Sequence, residues 1–173
     1  MKIITIYIIA CLLFAGCAGT GPAKTPGSEI MRSEVDNSFD IYQVPVNATN
    51  SPTEGYHLMG MRWNSKTKDI VYLTAAAQIK RNITGLSFDI DGETITASPA
   101  SNFTDFDDCS YFSSKQFTVP FEEFVKLSNA KEVKYKIRYD INSYSYSFFG
   151  KNKTNAIINY KFDDFIQKVR LNM

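Results

Sequence analysis

The amino-acid sequence predicts a mainly β fold, a single β-sandwich of about eight or nine antiparallel strands with a short helix near 120–129 and a C-terminal helix. Three observations carry this reading. Apolar and polar residues alternate with period two through most of the region after residue 37, as strands buried on one face require. Asp91-Gly92 joins two such runs, and this dipeptide is a strong hairpin signal because a two-residue turn needs positive φ at both central positions. Helical spacing of apolar residues is confined to one short internal segment and the chain end, which fits a layered β domain better than a helical or dinucleotide-binding design. A closed, lipocalin-like barrel is the alternative, since up-and-down barrels use the same local signals.

The first strands are expected in SFDIYQVPV from Ser38, YHLMGMRW from Tyr56 and DIVYLTAAAQI from Asp69. ITGLSFDI from Ile83 runs through Asp91-Gly92 into ETITAS, so residues 83 to 98 form a hairpin. NFTDFDD reads as a polar loop, followed by a strand in CSYFSSKQFTV from Cys109. Pro120 suits the first turn of a helix, Glu122 and Glu123 favour its positive end, and Phe121, Phe124, Val125 and Leu127 recur at helical spacing. In EVKYKIRYD, Val133, Tyr135, Ile137 and Tyr139 point one way, and Lys134, Lys136 and Arg138 the other. SYSYSFF alternates Tyr144, Tyr146 and Phe148 against serines, and a turn follows at Gly150. INYKFDDFIQKVRL begins as a strand and turns helical from about Phe162, where Phe165 or Ile166 and Val169 follow at helical spacing.

At the other end, Lys2 precedes an apolar run from Ile3 to Phe14, the length of an export-signal core and too short to span a bilayer. Leu13-Phe14-Ala15-Gly16-Cys17 then places two small residues directly before a thiol. This pattern resembles the lipobox of bacterial lipoproteins, with Phe14 where leucine is usual. The resemblance implies cleavage before Cys17, a diacylglyceryl group on its sulfur, and a mature protein held on a membrane without a spanning helix. Each buried methylene contributes about 0.8 kcal/mol, so two or three acyl chains hold where one does not. By that family's sorting rule, Ala18 after the cysteine implies the outer membrane of the cell envelope. Residues 1–16 are thus read as a signal peptide, 17–36 as the lipidated N-terminus with a flexible tether rich in glycine and proline, and 37–173 as the domain. The succession of strand, Asp-Gly turn, strand, loop, strand, short helix and strand over residues 83–140, with FTVPFEEFVKLSNAKEVKYKIRYD, also resembles small β-rich bacterial lipoproteins built as one domain.

Charge and cysteine usage narrow the function. The chain has 19 Lys and Arg, of which Lys2 leaves with the signal, so the mature balance against 18 Asp and Glu is even and no net field favours nucleic acid. Cys11 leaves with the signal and Cys17 takes the lipid, so Cys109 has no intrachain partner and reads as a reduced core residue, with a disulfide between chains as the alternative. One histidine and one spare cysteine cannot build a zinc tetrad, and no cofactor is expected. Asp105, Asp107 and Asp108 share one loop and form a weak candidate calcium site, against a solvated acidic loop.

The single histidine, His57, lies in a predicted strand and not on a Gly-x-Ser-x-Gly elbow, so no catalytic residue is assigned and no enzymatic activity is expected. What remains is surface. Tyr144, Tyr146 and Phe148, with Tyr135 and Tyr139 on the preceding strand, are the candidate binding residues, a platform for a glycan or a partner chain. The favoured expectation is that the Tyr144, Tyr146 and Phe148 stripe faces the core while the serines face water, because one face of each strand must be buried. These features point to a non-catalytic, membrane-anchored envelope lipoprotein acting through surface contacts with another envelope component. A small-ligand or glycan binding module on the same anchor is the alternative.

Replacing Cys17 by alanine is expected to move the protein from the membrane to the soluble fraction of lysed cells and to prevent uptake of labelled palmitate. A Cys17→Ala protein that still sediments with membranes and carries label would rule out lipid at this sulfur.

Overall fold

The architecture, obtained as a computed structural model, describes residues 27–49, 56–90, 92–107, 112–140, 143–153 and 156–173. Cys17, Asp108 and Cys109 lie outside these residues. The elements are β1 (Glu29–Arg32), β2 (Phe39–Asn47), β3 (His57–Asn64), β4 (Ile70–Ala77), β5 (Ile83–Ile90), β6 (Glu93–Pro99), β7 (Asp105–Asp107), β8 (Phe112–Pro120), α1 (Phe121–Asn129), β9 (Val133–Tyr139), β10 (Tyr144–Phe149) and α2 (Ile158–Asn172).

All pairings are antiparallel, in the order β1-β2-β3-β4-β8-β6-β5-β9-β10, with β7 also on β8. β4 pairs with β8 along its full length, from Ile70 opposite Pro120 to Ala77 opposite Ser113. β6 meets β8 at only two pairs, Ser98 with Thr118 and Pro99 with Phe117. The sheet folds over at this short seam, which brings β9 and β10 against β2 and β3 in a sandwich-like arrangement. Hydrogen bonds cross between the layers, among them Tyr135 Oη donating to the Leu58 carbonyl at 3.1 Å and Ser147 Oγ to the Ala48 carbonyl at 2.5 Å. β1 and β10 end the sheet without pairing to each other, so it is open and the lipocalin-like barrel is not formed.

The core lies between the layers and under the helices. Met59, Met61, Trp63, Val71 and Leu73 face Leu86, Phe88, Val133, Tyr135 and Ile137, and all are buried. Helix α1 follows Pro120, whose extended backbone (φ −56°, ψ 143°) sits at the N-cap, and buries Phe121, Phe124 and Leu127. Helix α2 buries Ile158, Phe162, Phe165, Ile166 and Val169. Phe124 lies 5.2 Å from Phe162 and 5.5 Å from Phe165 between ring centroids, and Phe149 lies 5.5 Å from Phe162, so one aromatic seam joins both helices to the sheet.

Four local expectations are corrected. The polar stretch read as a loop contains β7, and Glu29–Arg32, read as tether, is the edge strand β1 on β2. That edge is fixed by α2: the Ser28 backbone N–H donates to Asp164 Oδ2 at 2.9 Å, and Lys168 Nζ donates to the Ser28 carbonyl at 2.6 Å. Residues 28–32, placed in the tether by the sequence, are therefore part of the folded domain. INY is the first turn of α2 and not a strand, because Ile158 extends the apolar series Phe162, Phe165, Ile166 and Val169 on one helix face. Finally, β10 presents its tyrosines outward and its serines inward: Tyr144 and Tyr146 are 42% and 39% exposed, whereas Ser147 is fully buried.

Gly150 closes the turn after β10 at φ +116°, and a Cβ there would lie 2.7 Å from the Lys131 carbonyl oxygen. Gly150→Ala is expected to destabilise the domain by about 2 kcal/mol or more in urea unfolding, from backbone strain plus the backbone clash. Gly92→Ala has positive φ (+92°) but open space around the new Cβ, so the loss expected there is about 1 kcal/mol. Equal losses at both positions would contradict the packing described for Gly150.

Candidate functional site

The outward inversion of β10 creates an ordered face. On β9 the inward set Val133, Tyr135, Ile137 and Tyr139 leaves Lys134, Lys136 and Arg138 pointing to solvent. The β9–β10 register sets Phe148 opposite Lys134, Tyr146 opposite Lys136 and Tyr144 opposite Arg138. On the other side of β9, β5 contributes Asp89, Ser87 and Gly85 opposite the same three cations. β6 adds Thr94 and Thr96 opposite Asp89 and Ser87. The outer face thus carries a row of hydroxyls, a row of Gly85, Ser87 and the Asp89 carboxylate, a row of cations and a row of aromatics.

Its geometry is specific. Lys134 Nζ does not sit on its direct neighbour but 4.2 Å above the Tyr146 ring, and Lys136 Nζ lies 4.3 Å above Tyr144. The Tyr144 and Tyr146 rings are nearly parallel, 19° apart with centroids at 6.5 Å. Lys153 Nζ lies 5.7 Å from the centre of Phe148. Arg138 turns the other way, lying across Gly85, with Nε donating to Thr84 Oγ1 at 3.3 Å and Nη2 to the Thr84 carbonyl at 3.4 Å. A Cβ on residue 85 would stand 3.1 Å from Arg138 Nε, so glycine opens the floor on which the guanidinium rests. Gly85, Ser87, Thr96, Lys136, Arg138 and Tyr144 line a shallow concavity of about 160 Å³. Among the described residues, no carboxylate forms a salt bridge with Lys134, Lys136 or Arg138.

The candidate binding set of the sequence is therefore divided. Tyr144, Tyr146 and Phe148 lie on this outer face, but Tyr135 (fully buried) and Tyr139 (3% exposed) belong to the core and cannot join a surface platform. Burial raises the phenol pKa of both, and at Tyr135 the neighbouring Tyr139 adds to the effect. Gly85, Ser87 and Thr96 were not singled out. A glycine inside a strand run was the available signal, because such a glycine marks close approach.

At the end of the sandwich, Tyr139 Oη shares a 2.7 Å hydrogen bond with Ser145 Oγ, which in turn shares one of 2.8 Å with His57 Nε2. These side chains tie β9 and β10 to β3. His57 is 3% exposed, its Nδ1 has no partner among the described residues, and burial lowers its pKa to about 4. The ring is neutral near pH 7, and among the described residues no carboxylate orients it as in a hydrolytic triad.

Asp105 and Asp107 lie exposed on β7, Asp108 lies outside the described residues, and Asp107 has interactions of its own. No group of three His, Cys, Asp or Glu that could hold a metal occurs among the described residues. The same residues contain no helix long and apolar enough to cross a membrane. A larger groove of about 430 Å³ runs between α1 and α2, past Val125, Ile166, Arg170 and Leu171, without a comparable array of like-charged groups.

The fold and the outer face define a mainly β, sandwich-like domain with a cationic and aromatic surface. Compared with protein-family models, curated proteins and solved structures, the chain matches none.

Because the folded-state pKa of His57 lies below its unfolded value, protonation favours unfolding. The associated stability is fully present above about pH 6.5 and is lost as the pH falls towards 4. The loss between pH 7.5 and 5 is expected to be about 2 kcal/mol in urea melts, and His57→Gln should flatten that part of the profile. An unchanged slope in His57→Gln would remove His57 as its source.

Proposed function

We propose that this protein is a non-catalytic lipoprotein of the bacterial cell envelope, anchored through lipid on Cys17 and acting through the outer face of β5, β9 and β10. The observation that carries the reading is the row of solvent-facing cations, Lys134, Lys136 and Arg138, held against the exposed rings of Tyr144 and Tyr146 without carboxylate partners among the described residues. Surface lysines ordinarily sample many rotamers. Here the ring contacts restrict two of them, so less entropy is lost when the face is covered.

The anchor fits this role. Lipid on Cys17 and the outer-membrane placement rest on the lipobox resemblance, and the ten residues from 18 to 27 then span no more than about 35 Å to the pinned start of β1. A partner within that distance of the bilayer is met repeatedly, which raises its effective concentration. The neutral, buried His57 supports a structural and not a catalytic part for the Tyr139, Ser145 and His57 cluster.

A photo-crosslinking residue placed at Tyr146 in cells is expected to capture a defined envelope component, and one placed at exposed Tyr160 on α2 is not. Capture should fall several-fold in Lys136→Gln/Arg138→Gln and in Cys17→Ala. Identical products from both positions, or none from Tyr146, would overturn the role given to this face.

A further inference from the structure

Resting on the reading of this face as the contact surface, we propose that its ligand is an acidic polysaccharide, a chain of sugars bearing carboxylates. Three features of the face select this chemistry. The first is charge. Lys136 and Arg138 flank the concavity above Gly85 with no acidic partner among the described residues, and a carboxylate entering there gains charge-assisted hydrogen bonds from both. Because acidic and basic residues balance over the mature chain, attraction at this place follows from the local arrangement of charges and not from the net charge.

The second feature is the mixture of surfaces around those cations. Tyr144 forms one wall of the concavity and Ser87 and Thr96 supply hydroxyls on the opposite side. A pyranose ring presents apolar C–H faces and outward hydroxyls, which match an aromatic wall and hydroxyl partners, respectively. An anionic lipid headgroup needs the cations but would leave the ordered hydroxyl rows without a role.

The third feature is repetition. Lys134, Lys136 and Arg138 occupy alternate positions of one strand, Tyr144 and Tyr146 alternate positions of the next, and Thr94 and Thr96 alternate positions of β6, while the Asp89 carboxylate, opposite Lys134 and accepting from Thr94 Oγ1, bounds the cationic stretch at that end. Alternate residues of a strand are about 6.5–7 Å apart, so equivalent groups recur along the strand direction. A polymer with a recurring charge makes the same contact more than once on such a face, whereas a single small anion uses only one position.

The direct test uses the full mature lipoprotein in detergent and polygalacturonate as the probe, with fully methyl-esterified polygalacturonate and dextran as uncharged polymers and phosphatidylglycerol-containing vesicles as the lipid arm. Polygalacturonate is expected to bind, and the other three to bind at least about tenfold more weakly, as expected for loss of charge-assisted hydrogen bonds. Lys136→Gln/Arg138→Gln should weaken polygalacturonate binding about tenfold, while Lys66→Gln in the β3–β4 turn should leave it unchanged.

Gly85→Ala keeps every charge but displaces the guanidinium from its floor, so a several-fold loss is expected there if the concavity is a built site. Unfolding curves of each variant separate lost binding from lost fold. Equal binding of esterified and free polymer, preference for vesicles, insensitivity to Lys136→Gln/Arg138→Gln, or no polymer binding at all would each overturn the inference. If the Tyr146 crosslink to a protein persists in any of those cases, the contact role of the face stands and only its ligand class falls.

Discussion

Burial of Phe149 is the constraint on which the rest of the outer face depends. Its ring lies 6.4 Å from Phe88, 6.4 Å from Tyr135 and 5.5 Å from Phe162, so it touches β5 and β9 of its own layer and the C-terminal helix at once. Burying a phenylalanine side chain stabilises by about 1.5–3 kcal/mol, and no other residue of β10 is placed to make this set of contacts. With Phe149 inward, period two sends Ser147 and Ser145 inward and Phe148, Tyr146 and Tyr144 outward. The serines suit the inner positions for a second reason: the neighbouring layer presents the Ala48 carbonyl and His57, which a small hydroxyl side chain satisfies and a tyrosine ring would displace.

The exposed tyrosines would be a liability on an unpaired edge strand. Lysines from β9 cover them, and Lys153 from the turn after β10 lies over Phe148; such pairs contribute about 0.5–1 kcal/mol at exposed sites. Charged side chains along an edge also disfavour pairing with another sheet. The arrangement that protects the edge is the same one that preorganises the cations, so edge protection and ligand contact do not compete for these residues. Arg138 differs because Gly85 lets it lie down on the sheet instead of over a ring.

The opposite end of the sheet is held by a different device. Asp164 and Lys168, one turn apart on α2, accept from and donate to the two backbone groups of Ser28, which would otherwise be an unsecured chain entry. Helix α2 is secured in turn by Phe124, Phe149 and Phe162. The point where the chain enters the domain, the helix and the register of β10 therefore share one aromatic seam.

Much of the fold was legible in the sequence. The alternation of Val133, Tyr135, Ile137 and Tyr139, the Asp91-Gly92 turn and the Pro120 start of α1 are local signals, each decided by the backbone needs of a few residues, and β9, the β5–β6 hairpin and α1 lie where these signals place them. Edge strands β1 and β7 were not legible, because EIMR and DFD carry too few residues to show a period and exist only through their partners. The face of β10 was ambiguous for a sharper reason. Phe148 and Phe149 put an aromatic residue in both phases of the strand, and YSYS alone favours the wrong one. The sequence by itself determined that β10 alternates; only the tertiary structure decided which half is buried, because that choice rests on the space for one ring among Phe88, Tyr135 and Phe162, residues from three other elements.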